Sequence, residues 1–531
     1  MAKSSPAAIA QVSAPARARS STPAVPRRTL RVLLLPVFCA GALLAMAPLL
    51  RASLPLFYSF AGAGLLLLLW AAAVYVSARR AGRALRLELG LHRHHWVQAC
   101  AQTFVLLYWG WYVRSVYAYA PLIVAQLIFA YGVDSLLNWS RRDRFPIGAG
   151  PFPIILSINL FLWFRPDWFF LQFLMVAIGY AAKEFIRWRR EGRSAHIFNP
   201  SSFPLSLFSL GLILAGASDI AFGEAIAATQ FNPPHMYLVI FLAALPGQLL
   251  FGVARTTWSA VSTLYLISAL YAAVSGTYLF YDTHIPIAVF LGMHLLVTDP
   301  STSPRSDAGR VLWGVMYGVG VAFFYVLLSA AGTPTYYDKL LPVPLMNLTV
   351  RWIDRMAASG ALRWLDVSRF ISSPLPLRRN LAHMALWAAL FLLLTGMRGI
   401  GDSPPGQSLP FWLQACAEGR ARACEYSEAM IRIYCENGSG WSCNEWGIRQ
   451  AEAGRPARAA FARACALGFD PGCRNASRSA ATAGELVRDA PRLPDLPIVL
   501  RGTKPPLRTQ SPAELLALAC RQRWPDACRD G

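Results

Sequence analysis

The chain has 531 residues and a formal charge of +22, yet 55% of it is hydrophobic and only 15% is charged, with a mean hydropathy of +0.39. Soluble domains carry about a quarter charged residues, so the composition excludes an ordinary soluble protein and predicts an all-α, polytopic transmembrane bundle. The arginines cluster in short loops between apolar runs and on no aromatic-basic face, which argues against nucleic acid as a partner.

In chain order, residues 1–29 are rich in Ala, Ser, Pro and Arg and read as a disordered cytoplasmic tail. A cleavable signal does not fit, because a second apolar run follows the first almost at once. Apolar segments long enough to meet a bilayer recur at 31–50, 55–77, 96–113, 119–138, 148–164, 168–186, 201–217, 237–253, 258–276, 284–298, 311–332, 339–356 and 382–399. That predicts thirteen spans, the twelfth being the least regular because "LLPVPLMNLTVRW" carries two prolines.

The basic loops "SARRAGRALRLE", "SRRDR", "KEFIRWRREGR" and the stretch 351–379 all fall on the side of the N-terminus. The alternate loops carry few cations. With the N-terminus in the cytoplasm, an odd number of spans places residues 400–531 outside it, in the periplasm if the membrane is a bacterial inner membrane.

Eight of the ten cysteines lie in that tail, in pairs of one spacing: Cys416/Cys424, Cys435/Cys443, Cys465/Cys473 and Cys520/Cys528. On an unbroken helix such a pair is about 12 Å apart, too far for a disulfide. Each intervening segment holds a Gly or Pro that lets the chain reverse. Four bridges in an oxidising compartment are therefore expected. Zinc-bound thiolates are the alternative, although no C-x2-C spacing is present.

Polar residues interrupt several apolar segments. "GAGPFPIILSINLFLWF" contains Asn159, "AHIFNPSSFPLSLF" contains His196, Asn199, Ser201 and Ser202, and "GMHLLVTDPSTSP" contains His294, Thr298, Asp299 and Thr302. Intramembrane polar groups are costly and broken helices at that depth usually line a site. Asn199 and Asp299 before proline also fit plain helix caps. Two clusters stand apart. His92, His94 and His95 suit an interfacial basic anchor or a metal or haem site, and Asp134 suits a proton or ion relay or a pair with Arg141 or Arg142.

"HIFNPSSFPLSLF", "FLGMHLLVTDPSTSPRSDAGRVLWGVMYGVGV" and "PLMNLTVRWID", in this order, resemble the RnfD/NqrB family of membrane redox subunits, including its stand-alone UnbU-like members. The likeness covers 96–356, a ten-helix core. It leaves 30–95 as two extra helices with a basic loop, and 357–399 as a basic loop with a last helix. The resemblance implies an electron-transfer function and a flavin, FMN, joined to a threonine in an outer loop. Thr229 in "GEAIAATQFNPPH" is the matching residue, with Ile226 and Ala227 standing where the family has Ser-Gly. "GQLLFGVARTTWS" replaces the family's G-x-x-G-E-x-S element. On this reading His196, Asn199, Ser201, Ser202, Thr298, Asp299 and Thr302 line a flavin or quinone site. The segment 409–478 resembles Sel1-like repeats, relatives of tetratricopeptide repeats, with a Pro-rich connector at 489–512. Such repeats imply docking of an extracytoplasmic protein or another electron-transfer subunit. A small-solute channel on the same fold and a membrane-anchored assembly scaffold are the alternative functions.

Overall fold

The structure, a computed structural model, describes residues 27–366 and 376–401 with short gaps, isolated positions between 409 and 419, 423–477 with one gap, and 485–489. The predicted N-terminal tail lies almost wholly outside the described residues, as do Cys520, Cys528 and nearly all of the connector.

The chain is predominantly helical. Its elements are α1 (Arg27–Met46), α2 (Leu54–Arg80), β1 (Arg86–Leu89), α3 (Arg93–Tyr112), α4 (Arg114–Arg141), β2 (Arg144–Ile147), α5 (Pro151–Asn159), α6 (Phe170–Phe185), β3 (Arg187–Arg190) and β4 (Arg193–His196). There follow α7 (Ser202–Leu214), α8 (Gly223–Thr229), α9 (Met236–Phe251), α10 (Ala254–Ser275), α11 (Ile287–Leu295), α12 (Asp307–Ala330), α13 (Pro342–Ala358) and α14 (Pro376–Gly396). Six helices are long and apolar enough to cross a membrane: α1 with its extension to Leu50, α2, α4, α10, α12 and α14. The chain is therefore a membrane protein. Each of the thirteen predicted segments falls on a helix, including α13, whose Pro342 and Pro344 sit in its first turn, where proline costs no hydrogen bond.

Three expectations need correction. Segments 148–164 and 284–298 do not form long helices, because α5 and α11 have nine residues each. That is about 13 Å of helix, less than half of a hydrocarbon layer of about 30 Å. Each helix ends several residues short of the next proline, Pro166 and Pro300, and the chain between is turn and coil. Second, the fold is not purely α. β1 pairs in parallel with β2, and β3 pairs with β4 as a hairpin that turns at Gly192, whose φ of 76° suits glycine. Third, the presumed loop at 223–235 contains α8, which ends on Thr229.

The helices pack in a repeating order. α3 packs on α5, α4 on α6 and α6 on α7; likewise α9 packs on α11, α10 on α12 and α12 on α13. The leading helices of the two sets, α3 and α9, meet each other, as do the closing helices, α7 and α13. Two sets of five thus share one plan, each with a short broken helix third.

Close approach within the second set depends on glycine. A Cβ on Gly314 of α12 would lie 2.0 Å from Ser259 Oγ and 2.3 Å from Thr256 O of α10, and one on Gly318 would lie 2.9 Å from Ala260 O. This spacing of small residues lets two backbones touch. Gly314→Ala is expected to destabilise the protein by about 2 kcal/mol through overpacking. Gly211→Ala, where a Cβ meets nothing within 4 Å, is expected to raise the thermal midpoint slightly. Thermal unfolding of the two variants in detergent checks both.

The tail forms α15 (Ala423–Glu436), α16 (Gly440–Glu452), α17 (Arg458–Ala466) and α18 (Asp470–Ala476). Three of the expected bridges are present, Cys416–Cys424, Cys435–Cys443 and Cys465–Cys473, with Cα separations of 4.5, 4.4 and 4.4 Å. Each chain reversal has a glycine in the left-handed region, Gly419, Gly438 and Gly468. The second and third bridges therefore staple consecutive helices, α15 to α16 and α17 to α18.

Candidate functional site

The segments singled out at 196–204 and 298–304 do meet. Asn199 is the hub, nearly inaccessible to solvent. Its Oδ1 accepts from Ser201 N (2.9 Å), Ser201 Oγ (2.7 Å) and Ser202 N (3.1 Å). Its Nδ2 donates to Asp299 Oδ2 (3.2 Å) and Leu296 O (3.5 Å). Asp299 in turn accepts from Ser301 N, Ser301 Oγ and Thr302 Oγ1. Asn347 ties both segments to α13, accepting from Asn199 N and donating to Thr302 O, each at 3.2 Å. Thr298 Oγ1 donates to His294 O (2.6 Å). The amide of Asn199 has two donors and two acceptor lone pairs, and this network uses all of them. Capping explains these residues better than ligand contact does. Ser202 Oγ, Ser303 Oγ and His294 Nε2, each buried and without a hydrogen-bond partner, are exceptions.

A cavity of about 100 Å³ adjoins the network, lined by His94, His95, Lys183, His196, Asp299 and the glycine start of α5. Small-molecule sites run at roughly 300–1,000 Å³, so the volume here matches water or a small ion more closely than a flavin ring. His196, half-buried, accepts or donates through Nε2 with Ser301 Oγ at 3.2 Å. Burial lowers its pKa from 6.5 to about 4, against the pull of the Asp299 carboxylate. The imidazole is neutral at pH 7. Its contribution to stability is complete above pH 6.5 and is lost as pH falls through about 4. His196→Asn is therefore expected to flatten the decline of the thermal midpoint between pH 6.5 and pH 4, measured by unfolding in a pH series.

A larger cavity, about 450 Å³, lies at the other broken helix. Trp109, Tyr119, Trp163, Phe222, Ile226 and Thr229 contribute to its wall. Tyr119 and Trp163 stack at 4.2 Å with 7° between their planes. Thr229 is buried and its Oγ1 makes one long bond, 3.4 Å, to Ile226 O. Trp109 is buried, and its indole Nε1 has no hydrogen-bond partner. The carbonyls freed where α5 stops are met by side chains: Gln230 Nε2 donates to Leu160 O (2.6 Å) and Trp163 Nε1 to Asn159 O (2.7 Å). Asn159, Gln126 and Gln172 interlock, with Asn159 Nδ2 and Gln172 Nε2 both donating to Gln126 Oε1 at 2.8 and 3.1 Å. Of this set sequence reading had marked Asn159 alone. The legible signal was a glutamine inside an apolar helix, which the same cost argument covers.

The remaining marked residues have other neighbours. Asp134 does not pair with Arg141 or Arg142; its Oδ1 accepts from Asn138 Nδ2 at 3.1 Å, one turn away. Both arginines instead contact Glu184 of α6, a buried carboxylate the apolar pattern concealed. His92, His94 and His95 cluster with ring centroids 4.2–5.6 Å apart. Among the described residues no group of three or more His, Cys, Asp or Glu is placed to hold a metal ion. Arg255, almost fully buried, pairs with Asp307 (3.2 Å) and donates to Asn380 Oδ1 (3.0 Å), joining α10, α12 and α14.

No family model, no curated protein and no solved structure matches this chain.

Proposed function

We propose that this membrane protein is an electron-transfer subunit of the RnfD/NqrB type, and that a planar redox ring, a flavin or a quinone, occupies the 450 Å³ cavity. The observation that carries the reading is the cavity itself. Its wall is aromatic, its volume suits a ring, and it holds one buried donor without an acceptor, Trp109 Nε1. Such a donor suits a ring carbonyl, since an unpaired buried N–H is costly. Tyr119 and Trp163 offer a stacking face, and Thr229 stands where the family's attachment residue would be. The ring would supply the electron chemistry; the protein supplies position, water exclusion and one hydrogen bond. On this reading the chain crosses a bacterial inner membrane thirteen times, α5 and α11 being broken spans completed by extended chain. The second set of five helices then runs inverted relative to the first, and the disulfide-stapled, Sel1-like repeats project into the periplasm to dock a partner.

Two measurements test it. Mass spectrometry of the peptide containing Thr229 reads a flavin phosphate adduct. Titration of the purified protein with a short-chain quinone reads quenching of Trp109 and Trp163 fluorescence. Ala118→Trp, which fills the cavity, is expected to remove at least tenfold of that quinone affinity. Protein with neither flavin nor quenching contradicts the proposal. A second reading, passage of a small polar solute, is favoured by Gln102 of α3, fully buried with neither amide atom hydrogen-bonded. Solute flux into vesicles, abolished by Gln102→Leu, would select it.

A further inference from the structure

The repeat domain holds a piece of its own chain. Glu485–Asp489 lies against α16 and α18, and its main chain is gripped by side-chain amides and an indole. Asn475 Oδ1 accepts Val487 N–H at 2.8 Å, while Asn475 Nδ2 donates to Val487 O at 2.9 Å. Asn444 Nδ2 donates to the same carbonyl at 3.0 Å, and Asn475 Nδ2 also donates to Asn444 Oδ1 at 2.8 Å, which locks the two amides together. Trp441 Nε1 donates to Asp489 O at 3.2 Å. All three side chains are 1–3% exposed. Both polar groups of one peptide residue are thus paired, as they would be in a sheet, but without a sheet.

The grip reads no side chain, so it accepts any extended backbone. Selectivity enters one residue later. Arg488 Nη2 lies 2.6 Å from Glu452 Oε1, and its Nε lies 3.8 Å from Glu445 Oε2. The clamp belongs to the helices and not to the segment: Asn444 follows Cys443 directly and Asn475 follows Cys473 by two residues, so two bridges fix the helices that present them.

We propose that this seam is a peptide-docking site that recognises an extended segment carrying an arginine, and that Glu485–Asp489 is a resident strap which a partner protein's segment of that chemistry displaces. The proposal deepens the docking role read for the repeats, and it is independent of any redox function. Glu485 follows Ser477 by only eight residues in the same chain, so the strap competes at an effective concentration of about a millimolar. A partner must exceed this, which makes the site selective for segments that are themselves tethered nearby or that add contacts.

The test uses the full chain in detergent and a fluorescein-labelled peptide with the sequence of residues 484–490, read by anisotropy. Val487→Pro removes the N–H that Asn475 accepts and is expected to release the strap, so that the peptide binds this variant at least tenfold tighter than the unaltered protein. Adding Asn475→Ala is expected to abolish that gain. Should Asn475→Ala loosen the domain, Glu452→Lys leaves the amides intact: it is expected to weaken the arginine peptide and to favour a peptide carrying glutamate in place of arginine. Equal binding to the unaltered and Val487→Pro proteins up to about millimolar peptide overturns the proposal, and so does binding by Glu452→Lys that is indifferent to the peptide's charge. A failed quinone titration would leave these results untouched.

Discussion

Asn199→Asp is expected to destabilise the protein by about 4 kcal/mol, the cost of an uncompensated buried charge. The substitution keeps the Oδ1 that caps the start of α7 but exchanges a donor for an acceptor opposite Asp299 Oδ2, now 3.2 Å away. Two carboxylates at that distance cannot both stay ionised, and Leu296 O loses its donor as well. Asn199→Ala removes the cap and the link to Asp299 without creating a charge, so a smaller loss of about 2 kcal/mol is expected. The two variants separate on pH. The thermal midpoint of Asn199→Asp recovers partly as one carboxylate takes a proton on acidification, and that of Asn199→Ala does not. Midpoints equal to that of the unaltered protein in both variants would show that the network contributes nothing to holding α7, α11 and α13 together.

That network also shows what the sequence discloses and what it withholds. Asn199-Pro200 and Asp299-Pro300 announce broken helices, and thirteen apolar runs announce helices, because propensity and burial act locally. The pairing of Asn199 with Asp299 spans a hundred residues, and Asn347 joins from farther still. No local period encodes such contacts. Polar residues at a helix break are compatible with a ligand or with each other, and only the fold decides which. Here Asn199 and Asp299 are satisfied by their neighbours, whereas the 450 Å³ cavity beside Thr229 retains an unpaired indole donor. Its wall comes from α3, α4, the chain after α5 and α8, and three of its aromatic residues, Trp109, Tyr119 and Trp163, resemble ordinary lipid-facing residues when read singly. The nine-residue length of α5 was hidden for a related reason: the chain after it, Leu160–Phe164, is as apolar as a helix would be, whereas the polar run from Thr298 onward did mark the end of α11. The cysteine spacing, by contrast, was fully legible for three pairs, since an eight-residue separation with a glycine turn constrains geometry by itself.

The bridges make the second large prediction, and it reaches beyond stability to topology. Each closes a short loop, for which chain-entropy arguments give about 2.5 kcal/mol. The helices they join are short, 7–14 residues, and a central cluster of the small core is built from Cys435, Cys443, Ala464 and Leu467, half of it cysteine. A unit of this size has little reserve, so reducing the three described bridges is expected to unfold it while the membrane helices persist. A charged phosphine reductant that does not cross lipid turns this into a test of sidedness. Added to sealed vesicles with the outer face exposed, it is expected to make residues 409–477 sensitive to trypsin within the same preparation whose membrane part stays resistant. Added to inverted vesicles, it is expected to do nothing until detergent opens them. The reverse pattern would place the disulfide-bonded helices with the basic loops, on the reducing side, where such bridges do not persist, and an even number of crossings would then have to replace thirteen.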